Sequence, residues 1–238
     1  ERLYDASGWS LFPGIGPCTI FPWLIEHEPD SLRRARVNLT SKDWIKYCLT
    51  GEQSIDQTMA SIAHMDLRSA QHSYSDEVLR LTGISGYRHL LPEVVLSWQV
   101  GGKVTAEAAR VTGLIQGTPV INGAWDGVSC TLGAGCIDAG EAGTVIGTAG
   151  VHAIVSDKPQ FDPQRNYSLM YHTVPDAYVK NSLTMLAAGN LNWFEREFCL
   201  AERQTAERTG KSVYEVIGEE VADVPVGAAG VLFLPGFE

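Results

Sequence analysis

The sequence predicts a mixed α/β fold, and three observations predict it. Apolar residues recur at helix spacing through the first half, a short strand runs into a glycine-flanked loop at residues 117–127, and β-branched and aromatic residues gather around glycines from residue 142 onward. No internal repeat or low-complexity tract interrupts this order, and mixed α/β is the class that accommodates it. The 238 residues, 45% of them hydrophobic, are enough to bury a core, and they allow one large domain or two small ones.

The first expected helix spans Cys18 to Glu28, carries Ile20, Phe21, Trp23 and Leu24, and stops at Pro29. A second is capped by Ser41 and ended by Gly51. In it Trp44, Ile45, Cys48 and Leu49 fall at i, i+1, i+4 and i+5, one apolar stripe to set against a core. Ser75-Asp-Glu77 opens a third helix through Leu81, with its acids at the positive end of the dipole and Gly83 as its close. A fourth runs from Thr105 to Val111 and ends at Gly113. Pro119 to Ile121 reads as a short buried strand, and Val128 to Leu132 continues after it as helix. Ala142 to Val155 and Tyr167 to Leu183 read as strands and hairpins. Leu186 to Leu200 and Thr205 to Val221 return to helix spacing, and Gly230 to Leu234 closes as a strand. The composition shifts near Gly133 to Gly140, and the domain boundary is placed there.

Eighteen basic against 28 acidic side chains leave a net charge of -10, the wrong sign for affinity that rests on phosphate backbones or anionic lipid. Neither nucleic acid nor a membrane is an expected partner. The longest apolar stretches, such as Val231 to Pro235, fall far short of the ~20 residues that span a bilayer, and no charged-then-apolar leader opens the sequence. Five cysteines without a C-x-x-C pair indicate neither a disulfide framework nor a zinc knuckle, so a reducing cytoplasm is the expected location. The six histidines show no ligand spacing, and no metal is assigned to protein side chains. A homodimer is left open.

Asp126 is the leading candidate for chemistry. It ends the loop Asn122-Gly-Ala-Trp125 that leaves a strand and enters a helix, where strand ends and helix N-termini point their dipoles into one crevice. An ordinary N-cap explains the same aspartate, and spacing alone favours the cap. Gly143-Thr-Val-Ile-Gly-Thr-Ala-Gly150 offers backbone N–H groups and a hydroxyl that suit a phosphate, and a glycine-bearing hairpin turn explains the same letters. It is not a Walker loop, because the chain contains no Gly-Lys-Ser or Gly-Lys-Thr. Gly189, in Ala187-Ala-Gly-Asn-Leu-Asn-Trp-Phe194, stands near the start of a helix whose Trp193 and Phe194 are expected to face a core.

Taken together, these segments resemble the FGGY family of carbohydrate kinases. The resemblance is carried by Leu24-Ile-Glu-His-Glu-Pro29, by Trp44 to Glu52 with Asp56 and Ala60-Ser61, and by Leu91-Pro-Glu-Val-Val95. It continues through Val104 to Ala109, Gly117 to Asp126, Gly133-Ala-Gly135, Gly147-Thr148 and Leu232-Phe-Leu-Pro235, in family order over nearly the whole chain. It implies an actin-like ATPase fold of two RNase H-like domains, incomplete here at both ends. Residues 1–137 would be the back of the sugar-binding domain and 138–238 the front of the ATP-binding domain. The family's opening Asp-x-Gly-Thr loop and its glycine-rich adenine loop are absent from the sequence.

The implied reaction is ATP-dependent phosphorylation of a sugar or polyol hydroxyl, with ATP and Mg²⁺ as cofactors and a small-molecule sugar or polyol as the partner. By resemblance Asp126 matches the catalytic base, which reverses the preference for a cap. Gly147 and Thr148 match the turn that contacts the ATP phosphates, Gly189 lies close to a glycine of the nucleotide site, and Trp125 is a candidate sugar contact. Gly189-Asn-Leu-Asn-Trp-Phe194 is closer to the pentulose kinases, those acting on xylulose and its relatives, than to glycerol kinases. A kinase of glycerol, erythritol or another polyol, and a non-catalytic sugar-binding or regulatory relative, are the alternatives.

Overall fold

The computed structural model describes residues 1–10, 16–69 and 71–234. The order of elements is α1 (Arg2–Ser7), α2 (Pro17–His27), α3 (Pro29–Arg34), α4 (Ser41–Thr50), β1 (Ser54–Asp56), α5 (Gln57–Ala60), α6 (Asp76–Leu81), β2 (Glu93–Val95), β3 (Val100–Lys103), α7 (Ala106–Thr112), β4 (Pro119–Ile121) and α8 (Asp126–Gly133). There follow β5 (Ala142–Ile146), β6 (Gly150–Ser156), β7 (Ser168–Tyr171), β8 (Tyr178–Thr184), α9 (Ala188–Phe198), α10 (Leu200–Thr209) and α11 (Val213–Val221). The expected mixed α/β class is what is found. β1 pairs with β2 in parallel, β3 with β4 antiparallel, and β5-β6-β8-β7 form a four-stranded sheet in that order. The chain divides into two compact units, one of Glu1–Gly143 with His152–Ser182 and one of Thr144–Val151 with Leu183–Glu238.

Local chemistry explains most helix ends. Gly51 and Gly113 take left-handed φ of 80° and 78° after α4 and α7, a conformation that costs a Cβ-free residue little. Ser75 and Thr105 cap α6 and α7 through their hydroxyls. Pro29 both ends α2 and opens α3 at its first position, where its missing N–H is not needed.

The first unit holds the core. Trp9, Cys18, Ile62, Ala63, Val128, Ala153, Met170 and Val179 form one buried cluster, against which Ala124 and Trp125 pack. A neighbouring cluster gathers Ile55, Met65, Leu67, Leu169 and Tyr171. The second unit carries the link between β5 and β6 and the helices α9, α10 and α11, with α10 packed against both others. Gly210, at φ 73°, ends α10, and Ser212 with Glu215 forms a capping box that starts α11.

Several expectations are corrected. The cap of α4 is Thr40, not Ser41, and the helix is inverted: Trp44 and Ile45 are 56% and 61% exposed, whereas Asp43 and Lys46 on the opposite face are buried. Charged groups go inside here because they find partners there. The strand Pro119–Ile121 is not buried, since Ile121 is exposed and only Val120 is half-covered. Thr205 to Val221 is not one helix but parts of α10 and α11, broken at Gly210. Residues 231–234 are exposed and do not form a strand, following a short 3₁₀ turn at Ala228–Gly230. Pro235 of the Leu232–Pro235 stretch lies outside the described residues. Phe194 is exposed rather than core-facing, while half-buried Trp193 stacks with Phe233 and meets Phe198 edge-on.

Candidate active site

Asp126 stands at the end of a loop that the first unit grips from beneath. Asn122, buried where β4 ends, donates its main-chain N–H to the Gln99 carbonyl (3.0 Å) and its side-chain Nδ2 to the Leu96 carbonyl (2.9 Å). Gly123 donates to the Ser97 carbonyl at 3.0 Å. Trp125 then donates its main-chain N–H to Thr58 Oγ1 at 2.8 Å. Its indole folds back over the first turn of α8, where a Cβ on Gly127 would come within 2.2–2.8 Å of the ring. Only glycine admits that approach, so the Trp-Asp-Gly triplet is sterically linked.

Asp126 is not the N-cap of α8. Trp125 occupies the cap, without a side-chain bond, and Asp126 is the first helical residue. Its Oδ1 accepts the Gly127 N–H at 2.9 Å and its side chain is exposed to solvent. The arrangement therefore presents an accessible carboxylate at a helix N-terminus, where negative charge is favoured.

Beneath the loop lies a cluster of buried charge. Lys42 Nζ reaches Asp56 Oδ2 (2.9 Å), Asp43 Oδ1 (2.5 Å) and the Asn122 carbonyl (3.0 Å). Lys46 Nζ donates to Ser54 Oγ (2.5 Å), the Ser54 carbonyl (3.0 Å) and Asn122 Oδ1 (3.2 Å). Burial pushes the Lys46 ammonium down from the usual lysine range, with Asp43 opposing the shift. Asp56 Oδ1 accepts the Thr58 N–H (2.8 Å), the Met59 N–H (3.3 Å) and the Thr58 hydroxyl. Asp43 and Asp56 have no exposed surface. Of this cluster, sequence reasoning noted Lys46 and Asp56 only as parts of matching stretches and passed over Lys42, Asp43 and Thr58. The one available signal was Asp56-Gln-Thr58 between a strand and a helix, which reads equally as a cap.

In the second unit the structure brings the three other candidates together. Gly147 and Thr148 form the exposed turn between β5 and β6, with the Gly147 N–H bonded to the Ala149 carbonyl at 2.9 Å. The Thr148 and Gly147 carbonyls accept the Ala187 and Ala188 N–H groups at 2.7 and 3.0 Å, so the start of α9 is laced to the turn. A Cβ on Gly189 would sit 3.1 Å from Leu186 Cδ2 and 3.5 Å from the Thr148 carbonyl oxygen. The glycine thus keeps open the space beside the turn.

Among the described residues no group of three or more His, Cys, Asp or Glu gathers as a metal site, and no helix is long and apolar enough to cross a membrane.

The profile described as the FGGY family of carbohydrate kinases, N-terminal domain, matches residues 1–133. A protein of Pasteurella multocida named "Probable L-xylulose kinase" is 32% identical over 238 residues, 99% of this chain and 46% of that protein. An "Autoinducer-2 kinase" of Yersinia enterocolitica is 30% identical over 231 residues, covering 97% of this chain and 43% of its own length. The crystal structure of xylulose kinase from Rhodospirillum rubrum superposes with a TM-score of 0.80 at 28% identity, over 96% of this chain and 44% of that one. The chain thus spans under half the length of the curated relatives named here. With the profile covering more than half of its residues, the chain belongs to the FGGY family of carbohydrate kinases.

Proposed function

We propose that this chain belongs to an enzyme that phosphorylates a hydroxyl of a sugar or polyol with ATP, a pentulose such as xylulose being the favoured acceptor. The observation that carries the reading is the exposed Asp126 carboxylate, held on the first turn of α8 by a loop that buried groups fix in place. Asp126 takes the proton from the attacking hydroxyl, a contribution of ~10²–10⁴-fold for a general base. Trp125 offers an apolar wall beside it for the sugar. The relatives' names, an L-xylulose kinase and an autoinducer-2 kinase, support a small acceptor and define the first two to try.

Gly147, Thr148 and Gly189 are assigned to the nucleotide. The space that a Cβ at Gly189 would fill, beside an exposed turn, fits phosphate oxygens near main-chain groups. All three residues are uncharged, so they suit phosphates whose charge travels with Mg²⁺. When bound, the cation supplies the neutralisation on which phosphoryl transfer depends. Residues 1–137 are assigned to the sugar-binding domain and 138–238 to the ATP-binding domain, a division by chain segment that the match over 1–133 supports. The cytoplasm is the proposed place of action, consistent with five free cysteines.

The test is ADP release by the intact gene product against a panel of pentuloses, autoinducer-2, glycerol and erythritol. Sugar-dependent ADP release that is fastest with a pentulose is the expected result. Calorimetric binding of a sugar with no ADP release would point instead to a regulatory relative.

A further inference from the structure

The buried charges under the Asp126 loop are arranged for geometry more than for stability. A buried ion pair adds little net stability, because desolvation offsets the attraction, and an apolar replacement of similar volume often serves as well. Beyond its internal bonds and those to Ser54 and Met59, the cluster sends three hydrogen bonds to one neighbouring segment. Lys42 Nζ holds the Asn122 carbonyl, Lys46 Nζ holds Asn122 Oδ1, and Thr58 Oγ1 receives the Trp125 N–H. Both ends of the four-residue span before Asp126 are therefore tied to it.

Thr58 is the decisive member. A hydroxyl has one proton to give and two lone pairs to offer. The proton goes to the Asp56 carboxylate, whose other oxygen is paired with Lys42, so the lone pairs are left turned toward Trp125. A hydrogen bond to an ionised partner is stronger than a neutral one, which fixes the rotor. Trp125 is the N-cap residue, and its carbonyl accepts the Ser129 N–H at 2.9 Å, so fixing its amide fixes where α8 begins and hence where Asp126 stands.

We propose that Thr58, oriented by the Asp56–Lys42 pair, is a positioning residue that sets the place of the Asp126 carboxylate. The proposal rests on the reading of Asp126 as the base. Its test is steady-state kinetics of the intact gene product with Thr58→Val and Thr58→Ser, each also placed in an Asp126→Asn background. Thr58→Val keeps the shape and loses the hydroxyl. It is expected to lower kcat by about 10- to 100-fold, the scale of a misplacement of about 1 Å. KM for sugar and for ATP should stay within about threefold, because binding that is uniform through the reaction is untouched. Thr58→Ser should restore most of kcat. In the Asp126→Asn background Thr58→Val should cost nothing further, the signature of a residue that acts through another.

Amide exchange gives a readout independent of turnover. The Trp125 amide should exchange at least about tenfold faster in Thr58→Val, while amides within α8 keep their protection. A folded Thr58→Val with wild-type kcat, or a loss that Thr58→Ser does not recover, would overturn the proposal. Failure of both Thr58→Val and Thr58→Ala to fold, with Thr58→Ser fully active, would assign the hydroxyl to folding and overturn it as well. Should Asp126→Asn keep wild-type turnover, the base itself is lost and the positioning role with it. Loss in Asp126→Asn beside wild-type turnover in Thr58→Val removes the positioning role alone.

Discussion

The Trp125–Asp126 loop and the Gly147–Thr148 turn are both short, glycine-flanked and partly exposed, yet they are held by different means. Besides main-chain bonds from Asn122 and Gly123 to the Gln99 and Ser97 carbonyls, the loop is fixed by side chains from distant segments, Lys42, Lys46 and Thr58, working from a buried charged cluster. The turn is fixed by main-chain bonds to residues 187 and 188 and by the absence of a side chain at Gly189. The first is therefore sensitive to the chemistry of side chains, and the second to backbone shape. Under the proposed assignment, a carboxylate that moves a proton needs a defined position and a surface for phosphate needs open main chain, and the two ways of holding are what that assignment requires.

The largest expected effect on stability comes from breaking the charged cluster. Lys42→Met strips the cation from Asp56 and Asp43, and removing one partner of a buried pair costs about 3–5 kcal/mol. Urea unfolding should show a midpoint lowered to match; an unchanged midpoint would mean that water already screens the cluster. Acid tests the same contrast along another axis. His64 is buried with neither ring nitrogen hydrogen-bonded among the described residues, and burial pushes it from 6.5 down to about 4. Between those values the unfolded chain binds a proton that the folded chain refuses. Stability is thus full above about pH 6.5 and falls as the pH drops toward 4, by about 3 kcal/mol at ~1.4 kcal/mol per unit. His72 and His172, also pushed down by burial, act in the same sense. Denaturant midpoints across that range should lose most of this slope in His64→Leu. No titratable side chain lies in residues 186–194 or in the Gly147–Thr148 turn, so amide protection at 187 and 188 should be insensitive to the same pH change short of global unfolding.

The smallest effect on stability is expected at Gly189→Ala. Alanine gains up to about 1 kcal/mol of helix propensity, offset by a Leu186 side-chain tip that must yield a few tenths of an ångström. Unfolding should therefore move by less than about 1 kcal/mol, while KM for ATP rises with KM for sugar unchanged. A rise in sugar KM alone would detach Gly189 from the nucleotide.

Which parts of this were readable beforehand follows from the range of the forces involved. Caps and stops are local: Ser75, Thr105, Gly51 and Gly113 act within a turn of their own position, and the sequence displays them. The loop carrying Asp126 was visible for the same reason, as strand, glycine and helix in succession. The burial of Lys46 was not, because it depends on Asn122, which is remote in sequence and near only after folding, and Asp43 goes inside with Lys42, whose other partners are Asp56 and the same Asn122. Periodicity counted Trp44, Ile45 and Cys48 as the inner face since it weighs hydrophobicity and cannot weigh a pairing. The same blindness hid Thr58, whose role lies in a bond across 67 residues to Trp125.

The central claim is that Asp126 accepts the proton of the attacking hydroxyl. Asp126→Asn tests it cleanly, because the amide oxygen can still accept the Gly127 N–H and leave the start of α8 as it is. Single-turnover phosphoryl transfer at saturating ATP and pentulose should be slower by about 10²–10⁴-fold in this variant, with the folded state unchanged. Transfer at the wild-type rate would contradict the account.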